Sequence, residues 1–178
     1  MENKQYSATL CTDGLSPPAD RLLLAPGCLR DYHALAPFHY RAKRPATVTR
    51  VLALFDPASA PDRGAPVAVL VESMPTIHCR SRDQATAGRY RSRGVGDPAI
   101  ARLNAELRCI SRVIVDPRWR GLGLAVALVR QALDTSTTTR TEALAAMGRV
   151  HPLFELAGMT AYHPQDDGPV YYLKENAR

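Results

Sequence analysis

Residues 111–133 read SRVIVDPRWRGLGLAVALVRQAL. A β-branched apolar run ends at Pro117, an Arg118-x-x-Gly121-x-Gly123 turn follows, and an apolar helical pattern opens directly after it. A strand fed into a helix through Gly-x-Gly leaves several backbone N–H groups unpaired at the helix start, all pointing one way, where the macrodipole also favours negative charge. Phosphate is the natural occupant. Gly121 and Gly123 let a ligand approach the backbone closely, and Arg118 or Arg120 adds charge-assisted bonds to a diphosphate. The competing reading is a glycine turn made only for tight strand-to-helix packing.

Two common phosphate sites fail on spacing. A P-loop needs Gly-Lys-Ser/Thr, which is absent. A dinucleotide fold could use GLGLA as G-x-G-x-x-A, but it wants its glycines directly after the strand and an acid about 20 residues later at the end of a second strand. Here DPRWR intervenes, and the acid at that distance, Glu142, starts its segment.

Working outward, TVTRVLALFDP (47–57), PVAVLVESMP (66–75) and RCISRVIVDP (108–117) are strands, bounded by Pro, Gly and Asp. ASAPDRGA supplies the hairpin loop between the first two. In the helix after the glycines, Leu122, Val126, Val129 and Leu133 make one apolar stripe and Leu124 with Leu128 another, so it packs buried against a sheet. EALAAMGRV (142–150) has a helical composition, but its place after a buried crossover helix makes it a parallel return strand. HPLFELAGM (151–159) is a short helix stopped by Gly158, and PVYYLKE (169–175) closes the chain as a strand. Residues 1–30 read as an irregular arm, AIARLNAEL as a short helix, and LRDYHALAPFHYRAKRP as a helical or turn segment running into basic residues. TIHCRSRDQATAGRYRSRGVGDP (76–98) reads as a functional loop or insertion. The fold class is α/β (α+β), a mixed sheet flanked by helices in one domain, 31–178.

Composition bounds the rest. With 178 residues and 46% hydrophobic content, one core is expected. Twenty-three Lys and Arg against 17 Asp and Glu give a net charge of +6, which admits a polyanionic partner without requiring one. The four cysteines form no C-x-x-C pair, so neither a zinc knuckle nor a redox motif is readable from their spacing, and their number suits a cytoplasmic protein. The amino-terminal residues lack a signal-peptide core, and no stretch approaches 18 apolar residues.

The stretch VIVDPRWRGLGLA resembles the cofactor motif of the GNAT superfamily of acetyl-CoA-dependent N-acyltransferases: a strand, Val-x-Pro, then Arg/Gln-x-x-Gly-x-Gly/Ala opening a helix. Arg118, Gly121 and Gly123 occupy its defining positions, HPLFELAGM resembles the superfamily's second motif, and the resemblance spans about residues 46–163. It implies a splayed mixed sheet and acetyl-CoA or a related acyl-CoA as cofactor. It also implies that main-chain groups of Val113 and Val115 hold the pantetheine arm, and that amides from Trp119 through Arg120, Gly121, Leu122 and Gly123 to Leu124 grip the pyrophosphate. One departure matters. Phe154 stands where many members carry a tyrosine that protonates the departing thiolate, so that proton, if needed, comes from elsewhere, for instance Tyr162, Cys109 or a water.

N-acyl transfer needs a neutral amine, hence a base or water chain near the thioester. Glu106, Glu142 and His151 are the candidate bases, each with an ordinary structural role as the alternative, and Cys109 is either a participant or a buried small hydrophobe. FHYRAKRP (38–45) resembles a His-Tyr segment of the phage Mom-type adenine-modifying proteins, a divergent GNAT-like branch, which implies iron ligands or acceptor contacts at His39 and Tyr40. A Phe-His-Tyr cluster capping the core is the alternative. Arg80, Arg82, Arg89, Arg91 and Arg93, interleaved with Tyr90 and joined by Arg41, Lys43, Arg44 and Arg50, suggest a groove for DNA or RNA, with a solvated basic loop as the alternative. The expectation is a GNAT-type transferase acting on an amine, a nucleic-acid base being the favoured acceptor. N-acetylation of a small-molecule or protein amine, and a non-catalytic CoA- or nucleic-acid-binding module, stand as alternatives.

Overall fold

Strands Val48–Asp56 (β2) and Ala65–Ser73 (β3) pair antiparallel from Val48↔Ser73 to Asp56↔Ala65 and lie second and third in a seven-stranded sheet. Both read as continuous apolar runs because helices cover both of their faces, which removes the usual alternation. The computed structural model describes residues 21–40, 45–59 and 64–176. Leu107–Val115 (β4) pairs antiparallel with β3, and Leu124–Asp134 (α4) carries the chain across to Arg140–Ala145 (β5), which lies parallel to β4. Val170–Glu175 (β7) pairs antiparallel with β5, and with Leu23–Pro26 (β1) and Thr160–Tyr162 (β6) at the two edges the order is β1-β2-β3-β4-β5-β7-β6. The return strand expected over 142–150 exists, shifted to begin at Arg140 and end at Ala145.

Three segments differ from expectation. Within the supposed irregular arm, Leu23–Pro26 (β1) pairs with β2 as an edge strand, and the proline is tolerated there because an edge strand need not donate outward. Thr160–Tyr162 (β6) forms the other edge, too short to leave a periodic signal. The 76–98 segment holds a helix, Arg80–Ala85 (α2), and leads into Pro98–Glu106 (α3). Its Tyr90 is buried with Leu103, Leu107, Tyr171 and Leu173 in a core of its own.

The sheet has two covered faces. On one, α4 buries Leu124, Leu128, Val129, Ala132 and Leu133, while Leu122 and Val126 of the expected stripe are only half-buried. Leu153–Leu156 (α5) packs beside it. On the other, Leu29–Leu35 (α1) sets Tyr32 and Leu35 over Val51, Val69, Val71 and Ile114. No helix among the described residues is long and apolar enough to cross a membrane.

The β4–β5 pairing positions the site. It runs from Leu107↔Arg140 to Ile110↔Ala143 and stops, while β4 continues to Val115 on β3 alone. The two strands therefore splay apart. On the other edge of β4, Val71 pairs with Arg112 and Glu72 with Ile110, so Ser111 is the extra residue of a bulge. Its hydroxyl donates to the Val71 carbonyl at 3.1 Å.

Candidate active site

At the junction quoted above, Asp116 caps a single turn, Pro117–Trp119, accepting from the Arg118 amide at 2.9 Å. The chain then turns through Gly121 (φ +82°) and Gly123 (φ +77°), both in the left-handed region that only glycine enters freely. A Cβ built on Gly121 would meet nothing within 4 Å, so this glycine is not there for tight packing. Its conformation and the open space above it are what the turn needs. α3 begins under its own cap, Asp97 accepting from the Ala99 amide at 2.8 Å, whereas α4 begins at Gly123 with no side-chain cap. The amides of residues 121 to 126 donate to no partner among the described residues, and the first helical bond runs from Ala127 to Gly123.

That bare helix start opens on a cleft of about 420 Å³ in the splay, with Arg120, Val115 and Ala125 on its wall. Strand parity gives the cleft two sides. Val113 and Val115 pair with Leu70 and Ala68 and face α4, while Arg112 and Ile114 pair with Val71 and Val69 and face α1. Phe154 and His151 border the cleft from the α5 region, and Phe38, His39 and Tyr40 border it from the segment after α1. The Asp116 amide donates to the Val67 carbonyl at 2.9 Å. By the alternation of an antiparallel ladder, the backbone groups of Val113 and Val115 then point away from β3, into the splay. The Val115 carbonyl accordingly accepts Arg120 Nε at 3.3 Å rather than a strand partner.

No family model matches the sequence, and no curated protein is similar to it. Solved structures are similar in shape. One, described as histone acetyltransferase HPA2 and related acetyltransferase from Corynebacterium glutamicum, is 14% identical with a TM-score of 0.52 over 87% of this chain and 96% of that one. The GNAT domain of S. lividans PAT is 16% identical with a TM-score of 0.52, covering 86% and 90%. The NatC complex bound to Gag peptide and CoA is 13% identical with a TM-score of 0.50, covering 89% and 99%. The chain has the GNAT fold.

Within this GNAT fold several expected residues lie elsewhere. Trp119 and Arg120 do not extend the amide row, because their N–H groups donate to the carbonyls of Asp116 (2.9 Å) and Pro117 (3.4 Å). The Arg118 guanidinium closes back on the Asp116 carboxylate through Nε (3.1 Å) and Nη2 (2.8 Å), and this pairing lowers the Asp116 pKa. Glu142 is no base for the cleft. Its carboxylate is fully buried, held by Arg82 at 2.8 and 2.7 Å and by the Tyr171 hydroxyl at 2.9 Å. Cys109 lies beside that cluster and outside the cleft, and burial, with the Glu142 charge, pushes its thiol up into the protonated form. Glu106 is occupied by Arg89 at 2.8 Å and by the Tyr90 hydroxyl at 2.8 Å, and Tyr162 borders a separate hollow.

The arginine groove is corrected in the same way. Arg82 is fully buried; burial works against its charge, yet the Glu142 carboxylate outweighs that and raises its pKa. Arg89 pairs with Glu106, and Arg91 with Asp83 at 3.3 Å. Arg50 binds Glu72 at 2.6 Å and the Ala132 carbonyl at 2.8 Å, tying β2 to the end of α4. Arg80, at the start of α2, and Arg93 are both exposed. Arg41, Lys43 and Arg44 lie outside the described residues.

His39 and Tyr40 do border the cleft, their rings stacked with centroids 4.6 Å apart. Among the described residues no three His, Cys, Asp or Glu side chains come together as metal ligands, so this donor set does not fit an iron centre. The sequence reading missed Arg112 and Phe38. The readable signal for Arg112 was a charged residue in the interior of a strand, four residues after Arg108.

Proposed function

We propose that the protein is an acyl-CoA-dependent N-acyltransferase. The observation that carries the reading is the uncapped start of α4, whose unpaired amides at residues 121 to 126 open beside the splay. A diphosphate there satisfies orphan donors and meets the positive end of the macrodipole. The pantetheine arm then lies along the free backbone edge of Val113 and Val115, which brings the thioester toward the bulge at Ser111. That one structure of this fold is bound to CoA supports the same choice of cofactor.

Acyl transfer joins the acceptor nitrogen to the thioester carbon as the C–S bond breaks. The nitrogen gives up a proton and the thiolate gains one. Among the described residues His39 and His151 are the imidazoles that border the cleft, so they are the bases in reach. Arg112 and Arg120 on the same walls help them, because nearby positive charge favours the neutral amine over the ammonium. Phe154 has no proton to give, and the Tyr172 hydroxyl behind it donates to the Gly148 carbonyl at 3.3 Å. We assign the thiolate's proton to Tyr40, the phenol on the cleft wall, with water as its alternative.

A nucleic-acid base as acceptor draws support from the His39–Tyr40 stack alone, since three of the five clustered arginines are committed to carboxylates. The deciding experiment measures thermal stabilisation by CoA together with thiol release from acetyl-CoA. Saturating CoA at about 100 times its Kd is expected to stabilise the fold by about 2.7 kcal/mol. No shift at millimolar CoA overturns the proposal, and binding without thiol release from any amine favours the non-catalytic module.

A further inference from the structure

Apolar side chains are exposed where the cleft meets solvent. Phe38 is 44% exposed, Tyr40 64% and Met147 52%, and all three line the cleft. Single exposed apolar residues are ordinary on a protein surface, but several on the wall of one concave site mark where the apolar part of a ligand lies. They come from two separate places in the chain. Phe38 ends the Ala36–Phe38 turn that follows α1, a turn closed by the His39 amide on the Ala36 carbonyl at 3.0 Å. Met147 sits in the turn after β5, where its carbonyl accepts the Val150 and His151 amides at 3.1 and 2.9 Å. Both positions are thus set by backbone bonds, and neither side chain is tucked into the core.

The arrangement around His39 says what kind of apolar body fits. Phe38 and Tyr40 flank it in the chain, and its imidazole stacks on the Tyr40 ring at an interplanar angle of 29°. A flat ring laid against Phe38 adds an aromatic pair to this cluster, and the thioether of Met147 adapts to a ring edge. The acylation point lies elsewhere, because the thioester comes to the bulge at Ser111, inside the splay. Ring and nitrogen are therefore apart, with a short link between them. The cleft measures about 420 Å³ and must also take the pantetheine arm, which leaves room for a small amine.

We propose that the acceptor is a primary amine carried on an aromatic ring through a short alkyl chain, and that Phe38, Tyr40 and Met147 hold the ring at the cleft mouth while the nitrogen reaches the thioester. This rests on the acyltransferase reading given above. Phe38 is then a specificity residue: it touches the acceptor's ring, carries no proton and lies away from the start of α4 where the diphosphate is held.

The test uses the full chain and acetyl-CoA with phenethylamine, tyramine and tryptamine against butylamine, hexylamine, putrescine and adenosine. Acylated products are read by mass spectrometry, and CoA affinity is measured separately by calorimetry. The expected result is a kcat/KM at least about tenfold higher for the aromatic amines, the worth of one well-placed aromatic contact with its buried area. Phe38→Ala should lower the ratio of phenethylamine to butylamine kcat/KM about tenfold, through KM, with CoA affinity unchanged, and Phe38→Tyr should retain the ratio. Met147→Ser should lower the same ratio by a smaller factor. Equal or faster acylation of the alkylamines, putrescine or adenosine overturns the inference while acyl transfer stands, as does an unchanged ratio in a folded Phe38→Ala or Phe38→Leu variant. Absence of CoA binding, or CoA binding with no amine acylated, overturns the underlying reading and this one with it.

Discussion

At the start of α4 the backbone donors of residues 121 to 126 have no partner among the described residues, while in the α2–α3 excursion the charges answer one another. Arg82 is held by Glu142, Arg89 by Glu106, Arg91 by Asp83, and Arg140 lies between Glu106 and Glu175. One region keeps its electrostatics available to a ligand, and the other spends them on the fold. Counting cations in a segment says nothing about which case applies. What decides is whether each group's partner is already inside the molecule.

The sharpest way to break the contrast is to remove one half of a committed pair. Arg82→Met leaves Glu142 buried and uncompensated, which is expected to cost about 3–5 kcal/mol in urea unfolding. Adding Glu142→Leu should recover much of that loss, because a matched apolar pair strands no charge. A small effect of Arg82→Met would mean that the pair is not desolvated as its burial indicates.

At the other region, Gly121→Asn should lower CoA affinity at least about tenfold in calorimetry with little change in stability, since Asn tolerates the left-handed backbone and its side chain fills the space where the diphosphate would lie. Gly121→Val adds backbone strain at φ +82° and so confounds binding with folding. Unchanged affinity in Gly121→Asn contradicts the amide cradle.

The smallest effect belongs to the surface network. Arg89, opposed by partial burial and aided by Tyr90, pulls the Glu106 carboxyl down from 4.5 to about 2. A carboxyl depressed by folding contributes stability that is present in full above its unfolded pKa and is lost as pH falls through the folded value. Wild type should therefore exceed Glu106→Gln in stability at pH 7 by no more than about 1 kcal/mol, as for other solvent-exposed pairs. Thermal melts should show the difference shrinking between pH 4.5 and pH 2, and a constant difference would count against the assignment.

Much of the scaffold was legible. β2, β3, β4 and α4 announce themselves because strand and helix periods, β-branching and the glycine turn are properties of adjacent residues. β1 and β6 were not legible, being too short for a period and defined only by the strand beside them. In the site, the turn at Gly121 and Gly123 was legible for a local reason, and the Phe154 departure was visible as a residue type. Glu142 misled. Its segment was right, but the partner that removes it from chemistry lies 60 residues away.

By itself the sequence determined where a strand must turn into a helix through two glycines, and therefore where backbone donors are left over. Only the tertiary structure decided that β5 leaves β4 after Ile110, that Arg112 reaches the gap so formed, and that Arg82 never sees solvent. The reason is physical. Backbone conformation follows from neighbouring residues, whereas burial and charge pairing follow from whichever distant residues the fold brings alongside.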